Sequence, residues 1–298
     1  MARWRFRTVL WTRWRPSPRA GGPVSVPAKE VNFRDYDGTI VYSYTPAEFA
    51  AQAYVAKYGR LEVGQMYATT DGKTHVLIHL EEGRTSPMLG CCPNGTVDVD
   101  WGDGTAHDTL TGTSVTTVQW TPTHNYAAPG DYDIKLTCTG TMGFYGNNSN
   151  NEYGGLLRYV NGPDGRNKVY QNAVQAVYCA DSVTSIGQYT FNNCSGLSSI
   201  TIPDSVTSID NSVFNGCSGL SSVTIPDSVT SIGQYAFNTC YGLGELHFLP
   251  TSPPTVTNAN TFSGIPTDCK IYVPTGSLSA YTSATNYPSS STYTYIEE

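Results

Sequence analysis

Asp181-Ser182-Val183-Thr184-Ser185-Ile186 recurs as Asp204-Ser205-Val206-Thr207-Ser208-Ile209 and again as Asp227-Ser228-Val229-Thr230-Ser231-Ile232, at a spacing of 23 residues. A period of roughly 20 to 50 residues is typical of a solenoid, so this repeat decides the fold of the C-terminal half. The apolar positions keep the same spacing, in three columns: Phe191, Phe214 and Phe237; Cys194, Cys217 and Cys240; and Leu197, Leu220 and Leu243. Since one coil cannot bury its own apolar side, each of these side chains is predicted to stack on its copy in the next coil.

The repeat unit reads Phe-x-x-Cys-x-x-Leu-x-x-Ile-x-Ile-Pro-x-x-Val-x-x-Ile and resembles the BspA-like leucine-rich repeat of bacterial surface proteins. Thr261-Phe262-Ser263-Gly264 resembles a diverged copy, and residues 270–277 resemble the closing strand of that family. A short helix over 280–284 and a last strand over 292–296 are expected to cap the final coil. The resemblance covers residues 174–298. It implies adhesion or recognition of proteins, glycans or cell surfaces rather than catalysis, and it specifies no ligand.

The middle of the chain alternates apolar and polar residues in short segments, at 74–80, 96–101 and 132–137. This pattern, with Gly-rich turns between the segments, predicts a β-sandwich over residues 61–140. The motifs Trp101-Gly102-Asp103-Gly104-Thr105 and His124-Asn125-Tyr126, the second leading through Pro129-Gly130 into the last strand, resemble the signature of PKD domains. That resemblance implies an immunoglobulin-like spacer or binding unit of bacterial and phage surface proteins.

The remaining segments complete a mainly β fold class. Residues 31–60 are predicted to form a β-hairpin around Asp37-Gly38 and a helix from about 46 to 58 that begins at Thr45-Pro46. Residues 1–30 are predicted to be a basic, flexible arm, and the Gly/Asn-rich residues 141–173 a linker. The predicted architecture is therefore an N-terminal hairpin plus helix, a PKD-type sandwich and a leucine-rich-repeat solenoid at 174–298 with a C-terminal cap.

The distribution of charged residues along the chain indicates which classes of partner the protein can bind. The chain has a formal charge of −7, yet residues 1–22 hold six Arg and no acid, so the rest has 11 basic against 24 acidic residues, a balance of −13. An acidic body argues against nucleic acid, because phosphate contacts require a basic groove. The N-terminal segment has no apolar run typical of a secretory leader, and no transmembrane helix is predicted. We expect an extracellular protein on a virion or a bacterial cell surface, without membrane insertion.

The residues that flank the buried positions of each repeat strand must point outward. Stacking these residues predicts an exposed ladder as the candidate binding face: Ala176 and Tyr178, Ser199 and Thr201, Ser222 and Thr224, Glu245 and His247, Lys270 and Tyr272. The alternative is a solvated face of a scaffold with no ligand. We expect any ligand to be a glycan or protein of the host-cell surface, and the N-terminal region to contact other proteins of a virion or surface assembly.

No metal and no cofactor are expected. His75 and His79 have the spacing of a helical zinc pair, but Val76, Leu77 and Ile78 between them favour a strand. Asp98, Asp100 and Asp103 are suited either to calcium or, as is more usual, to the amides of a turn. The Cys194, Cys217 and Cys240 column is predicted to be buried thiols, whereas a disulfide from Cys91 or Cys92 to Cys138 stays open.

No catalytic motif was found among Gly-x-Ser-x-Gly, the phosphate loop, His-Glu-x-x-His and Cys-x-x-Cys. The favoured hypothesis is a non-catalytic recognition protein, structural or tail-associated in a phage or prophage. The alternatives are a bacterial surface adhesin without its leader, and an enzyme whose site is not recognised.

Overall fold

The computed structural model describes residues 31–34, 40–44, 71–146, 156–159, 168–169 and 172–298. The chain divides into two compact units, Met1–Ala50 and Ala51–Glu298. In the first unit, strand β1 (Val31–Arg34) pairs antiparallel with β2 (Ile40–Tyr44), and a register shift falls between Phe33 and Arg34. The predicted helix at 46–58 and the predicted basic arm at 1–30 lie outside the described residues.

The second unit contains an antiparallel module, residues 71–146. Its strands are β3 (Thr74–Leu80), β4 (Pro87–Asp100), β5 (Asp108–Thr113), β6 (Gln119–Trp120), β7 (Gly130–Cys138) and β8 (Thr141–Phe144). The main sheet has the order β3-β7-β4-β8, and β5 and β6 also pair with the long strand β4. Val76, Ile78 and Leu80 are buried while His79 between them is exposed, as the period of two in the sequence requires.

The repeats form two parallel ladders. The first ladder contains β11 (Val174–Tyr178), β13 (Ser199–Thr201), β15 (Ser222–Ile225), β17 (Glu245–Phe248), β19 (Lys270–Val273) and β20 (Thr294–Glu297). The second ladder contains β12 (Val183–Ile186), β14 (Ser208–Ile209), β16 (Ser231–Ile232) and β18 (Thr255–Val256). Most strands pair with the equivalent residues of the next coil, for example Ser208 with Ser231, whereas β13 and β15 lie in separate sheets. The stacked coils confirm the predicted solenoid.

A column of aromatic rings forms the core of the solenoid. Phe191 and Phe214 are stacked at 5.7 Å between centroids, Phe214 and Phe237 at 5.3 Å, and Phe237 and Phe262 at 5.7 Å. All four rings are buried. Phe262 extends the column into the diverged coil, so the core continues to the C-terminal cap.

The antiparallel module is joined to both ladders and is not separated from them. Strand β3 pairs antiparallel with β11, placing Val76 opposite Val177, and β8 pairs parallel with β12, placing Phe144 opposite Ile186. An open solenoid end would expose unpaired backbone groups and apolar side chains, and the module covers both. The module is therefore the N-terminal cap of the solenoid.

The predicted linker at 141–173 differs from the structure. Its first four residues are strand β8, and β9 (Leu157–Tyr159) pairs with both β4 and β10 (Lys168–Val169). The Gly/Asn-rich composition favoured a linker, but pairing with distant strands overrides local composition here.

The C-terminal cap closes the last coil around the short helix α1 (Leu278–Ser283). Tyr281 is buried and its hydroxyl donates to the carbonyl of Pro250 at 2.7 Å. Nδ2 of Asn286 donates a hydrogen bond to the carbonyl of Val256 at 2.9 Å. Val256 belongs to β18, the last strand of the second ladder. These bonds protect the edge that the repeats leave open.

Candidate recognition surface of the repeats

The structure aligns the predicted ladder residues in two rows on the first ladder. In the first row, Ala176 lies opposite Ser199, and Ser222 lies opposite Glu245, which lies opposite Lys270. In the second row, Tyr178 lies opposite Thr201, and Thr224, His247 and Tyr272 are successive partners. The repeat register inferred from the sequence therefore places equivalent residues side by side wherever the strands are paired.

The N-terminal end of this ladder is buried, which corrects the prediction of a fully exposed face. Ala176, Tyr178 and Ser199 are 3%, 0% and 8% exposed. For Ala176 and Tyr178 the physical reason is that β11 is not an edge strand, because β3 pairs with it and places His75 opposite Tyr178. The part of the ladder from Thr201 onward offers polar groups to solvent, except at His247, which is 3% exposed and is stacked against the ring of Tyr272.

The middle of the ladder is chemically plain. Thr201, Ser222 and Thr224 are half-buried and carry small hydroxyl groups. Hydroxyls in such rows donate and accept hydrogen bonds but carry no charge. This part of the face is suited to extended contact with a polar partner.

The C-terminal end of the ladder carries a charged and aromatic cluster, the C-terminal patch: Glu245, His247, Lys270, Tyr272 and Glu298. The rings of His247 and Tyr272 are stacked at 4.2 Å with an angle of 3° between their planes. His247 is 3% exposed, and its Nδ1 lies 3.1 Å from Oε1 of Glu298 and its Nε2 3.7 Å from Oε2 of Glu245. Lys270 is exposed, so the patch presents both signs of charge beside an aromatic ring.

Burial and two carboxylates act on the phenol of this patch. The pKa of Tyr272 is raised, first by removal from water and then by the negative charges of Glu245 and Glu298. The phenol therefore stays protonated at neutral pH and acts as a hydrogen-bond donor at the patch.

The histidines and aspartates singled out in the sequence lie in the antiparallel module. His75 and His79 are strand residues, as predicted, with His75 Nδ1 2.9 Å from Asp133 Oδ1 and His79 Nδ1 2.7 Å from Asp131 Oδ1. His75 Nε2 also lies 3.2 Å from Asp71. Each imidazole therefore has an aspartate partner within the module.

The three aspartates near the turn bind groups of the chain itself. Asp100 accepts from the amide of Gly102 at 2.9 Å, and Asp103 accepts from the amide of Thr105 at 3.1 Å. Asp98 pairs with His107 at 2.8 Å. Among the described residues, no group of three or more His, Cys, Asp or Glu side chains is arranged to hold a metal ion.

The two sequence motifs of the module meet in one aromatic cluster. Trp101 and His124 are stacked at 4.4 Å, and the hydroxyl of Tyr126 donates to the carbonyl of Trp101 at 2.8 Å. His124 Nε2 lies 2.8 Å from Asp103 Oδ2. These residues hold two distant turns together, which is a structural role.

The repeat cysteines are free and buried, as predicted. The thiols of Cys217 and Cys240 lie 3.1 Å from the carbonyls of Phe191 and Phe214 in the preceding coils, in position to donate to them. Burial raises the pKa of Cys194 and Cys240 to about 12. Cys91, Cys92 and Cys138 are free as well, so Cys138 is not bonded to either of the other two.

A groove beside the second ladder was not predicted from the sequence. It has a volume of ≈ 430 Å³ and lies between the turn at 227–230 and the loop at 249–254. The repeat period breaks here, because Ser231 pairs with Thr255, 24 residues later, whereas Ser208 pairs with Ser231, 23 residues later. The sequence does contain a signal for this break: the segment Pro250-Thr251-Ser252-Pro253-Pro254 replaces the Pro-Asp-Ser-Val of the repeat.

Comparison with known families identifies the repeats. The model of the BspA type leucine rich repeat region matches residues 165–287, in six copies. This part of the chain is a BspA-type leucine-rich repeat region. The ladders, the aromatic column and the cysteine column all lie within or directly beside this BspA-type region.

Two solved structures resemble part of the chain. A leucine rich cell surface protein from Faecalibacterium prausnitzii is 25% identical over 44% of this chain and 41% of its own, with a TM-score of 0.33. A leucine-rich repeat protein from Bacteroides ovatus is 26% identical over 46% of this chain and 44% of its own, with a TM-score of 0.26. The chain thus spans less than half the length of either. The search of curated proteins finds no match.

Within the part of the chain that the structure describes, no helix is both long and apolar enough to cross a membrane.

Proposed function

We propose that the protein is a non-catalytic, extracellular recognition or adhesion protein whose BspA-type region contacts a glycan or protein on a cell surface. The observation that supports this most is the first ladder, because stacked repeats present equivalent side chains as one extended face. Repeat proteins commonly use such faces for binding. The part of the face from Thr201 to Tyr272 is the proposed contact area.

The C-terminal patch is the proposed centre of that area. Tyr272 supplies an aromatic surface, Lys270 an exposed cation, and Glu245, which is 39% exposed, a carboxylate. Aromatic side chains with charged neighbours are typical of the residues that dominate binding energy at interfaces. The hydroxyl rows of the middle coils extend the contact with polar groups.

The antiparallel module is proposed to be a PKD-like base. Because β3 and β8 pair with both ladders, the base and the binding face are parts of one unit with paired strands between them. A face held in this way loses little conformational freedom on binding. The six Arg of residues 1–22 are proposed to contact an anionic partner in a larger assembly.

Two settings fit this role, and both are outside a cell. The first is a phage or prophage particle, in which the protein would be a structural or tail-associated component. The second is an adhesin on a bacterial surface, the setting of the family that the repeats resemble. Gold-labelled antibodies applied to intact bacteria and to purified virions would distinguish the settings, because only one of the two surfaces should be labelled.

The binding test uses the full chain, because the module caps the solenoid and isolated repeats would have an open end. The labelled protein is applied to a glycan array, to mucin and to whole bacterial cells. We expect binding to at least one surface, and a reduction of at least about tenfold in the double variant Glu245→Gln, Lys270→Gln, since tenfold corresponds to about 1.4 kcal/mol.

The matched control is Glu82→Gln, Lys73→Gln, which removes the same two charges in the antiparallel module. Equal loss in the two double variants would mean that the C-terminal patch is not the specific site of binding. Absence of binding to all three surfaces would contradict the proposed recognition role.

A further inference from the structure

The groove between the turn at 227–230 and the loop at 249–254 is large enough to hold a small molecule. Its volume of ≈ 430 Å³ lies within the range of about 300 to 1,000 Å³ that is common for such sites. None of the residues of the C-terminal patch lines it.

Hydrogen bonds hold both walls of the groove. On one side, Ser228 donates to the carbonyl of Val206 at 2.7 Å and Thr230 receives a bond from the amide of Thr255 at 2.9 Å. On the other side, Tyr281 and Tyr287 donate to the carbonyls of Pro250 and Pro254 at 2.7 and 2.9 Å. The loop is thus fixed at both ends, and its three prolines, Pro250, Pro253 and Pro254, restrict its backbone. A site held in this way needs little reorganisation on binding.

The polar groups that line the groove are available to a ligand. Asp227, Thr251 and Ser252 are exposed. Among the described residues, none of these three side chains takes part in an ion pair or a side-chain hydrogen bond. One carboxylate acceptor therefore stands near two hydroxyl groups that both donate and accept.

The composition of the groove selects the class of ligand. No Lys or Arg lines it, so an anion would meet only the negative charge of Asp227. No aromatic ring lines it either, which disfavours a large flat apolar ligand. A neutral sugar ring matches what is left, because its hydroxyls can bond to the carboxylate and hydroxyls while its C–H groups contact proline rings.

We infer that this groove binds a single neutral pyranose unit, held by Asp227 and by the hydroxyls of Thr251 and Ser252. The inference extends the proposed recognition function by naming a second site and its ligand class. A ring of about 12 non-hydrogen atoms at ordinary ligand efficiency gives a Kd of about 1 to 10 mM. Biologically useful binding would then come from many copies of the sugar on one surface.

The preceding coil supplies a matched control. Asp204 occupies the same repeat position as Asp227 and is also exposed. The next coil after Asp204 has the regular Pro226-Asp227-Ser228-Val229 turn and not the proline-rich loop, and Asp204 does not line the groove. Asp204→Asn and Asp227→Asn therefore make the same chemical change, inside and outside the proposed site.

The experiment measures saturation-transfer difference NMR of the full chain with methyl glucoside, methyl galactoside and methyl mannoside, and with glucuronate as an anion. We expect transfer to at least one methyl glycoside, a loss of at least tenfold in affinity in Asp227→Asn, and no change in Asp204→Asn. Ser252→Phe, which fills the groove without removing a charge, should also abolish transfer. Thermal melts of the variants confirm that each is folded.

The outcomes separate this inference from the proposed function. No transfer to any methyl glycoside, equal transfer in Asp227→Asn and wild type, or preferential transfer to glucuronate would each overturn the groove assignment. Cell binding that persists in Asp227→Asn would leave the recognition role intact, with the C-terminal patch as its site. If wild type shows saturation transfer to a methyl glycoside but binds no cell surface, the result would support the groove as a sugar site and contradict the recognition role.

Discussion

The ring of Phe144 lies 6.4 Å from that of Phe191, centroid to centroid, at an interplanar angle of 62°. Phe144 belongs to the antiparallel module and Phe191 begins the column of stacked rings in the solenoid. Because both rings are buried, the core of the module and the core of the solenoid are continuous. Unfolding of either part should therefore expose the core of the other.

Phe144→Ala is expected to destabilise the whole second unit by about 3 to 5 kcal/mol, because it leaves a cavity at the junction of the two cores. Urea unfolding followed by circular dichroism measures the loss, and hydrogen exchange should show faster opening of β12 and β14. Tyr241→Ala is the control, since Tyr241 is 65% exposed. If the repeats of Phe144→Ala are as well protected from hydrogen exchange as those of wild type, the module does not stabilise the solenoid.

Phe214→Ala tests the stack within the solenoid. Phe214 has a stacked ring on each side, at 5.7 and 5.3 Å, so its removal creates a cavity that neither neighbour fills. The expected loss is about 3 to 5 kcal/mol of unfolding free energy. A melting temperature equal to that of wild type would be incompatible with the stacked core.

The sequence predicted some parts of this fold well because they are periodic. Side chains of the same type at a fixed spacing identify the Phe and Cys columns directly. This signal does not depend on the sequence outside the repeats. The junction has no such signal: β3 pairs with β11 about 100 residues later, and β8 is four residues long in a Gly-rich context. The burial of Tyr178 and Ala176 follows from that pairing, which the repeat pattern does not contain.

The groove was missed for a related reason. A repeat pattern predicts what successive coils share, whereas a pocket forms where one coil differs from the next. The segment from Leu249 to Pro254 breaks the pattern in the sequence, but only the structure shows that the break leaves a space beside Asp227.

Gly216→Ala should destabilise the solenoid by about 1 to 2 kcal/mol. Gly216 has φ +77°, and an added Cβ would contact the side-chain oxygen of Asn193 in the preceding coil. Thr239 occupies the same repeat position at φ +57° and already has a Cβ, so Thr239→Ala should cost less than half as much. Urea midpoints of the two variants make the comparison. Equal losses would show that the left-handed backbone is not what makes glycine favourable here.

His75 should make the stability of the second unit depend on pH. Burial lowers the pKa of His75, but the hydrogen bonds and charges of Asp133 and Asp71 together outweigh it, so the pKa is raised above 6.5. The protonated ring then stabilises the fold fully below about pH 6.5, and this stabilisation is lost as the pH rises through the raised pKa. The free energy of unfolding should fall over that interval in wild type.

His75→Gln should remove this part of the pH dependence, because glutamine does not titrate. His79→Gln is the control, since its pair with Asp131 is exposed, with side chains 52% and 79% accessible. Urea unfolding at a series of pH values from 6 to 9 tests the difference. If wild type and His75→Gln lose stability in parallel over that series, the pairs of His75 with Asp133 and Asp71 are not the source of the pH dependence.

The cysteine column should be inert in the folded protein. The nucleophile in alkylation is the thiolate, and burial raises the pKa of Cys194 and Cys240 to about 12 and that of Cys217 well above its usual value. Cys138 is half-buried and provides the internal reference. Brief treatment with iodoacetamide at pH 8, followed by peptide mass spectrometry, should label Cys138 first and leave the column unlabelled until urea unfolds the solenoid. Labelling of Cys217 at the same rate as Cys138 under native conditions would mean that the coils open locally, and that the thiols do not lie in a closed core.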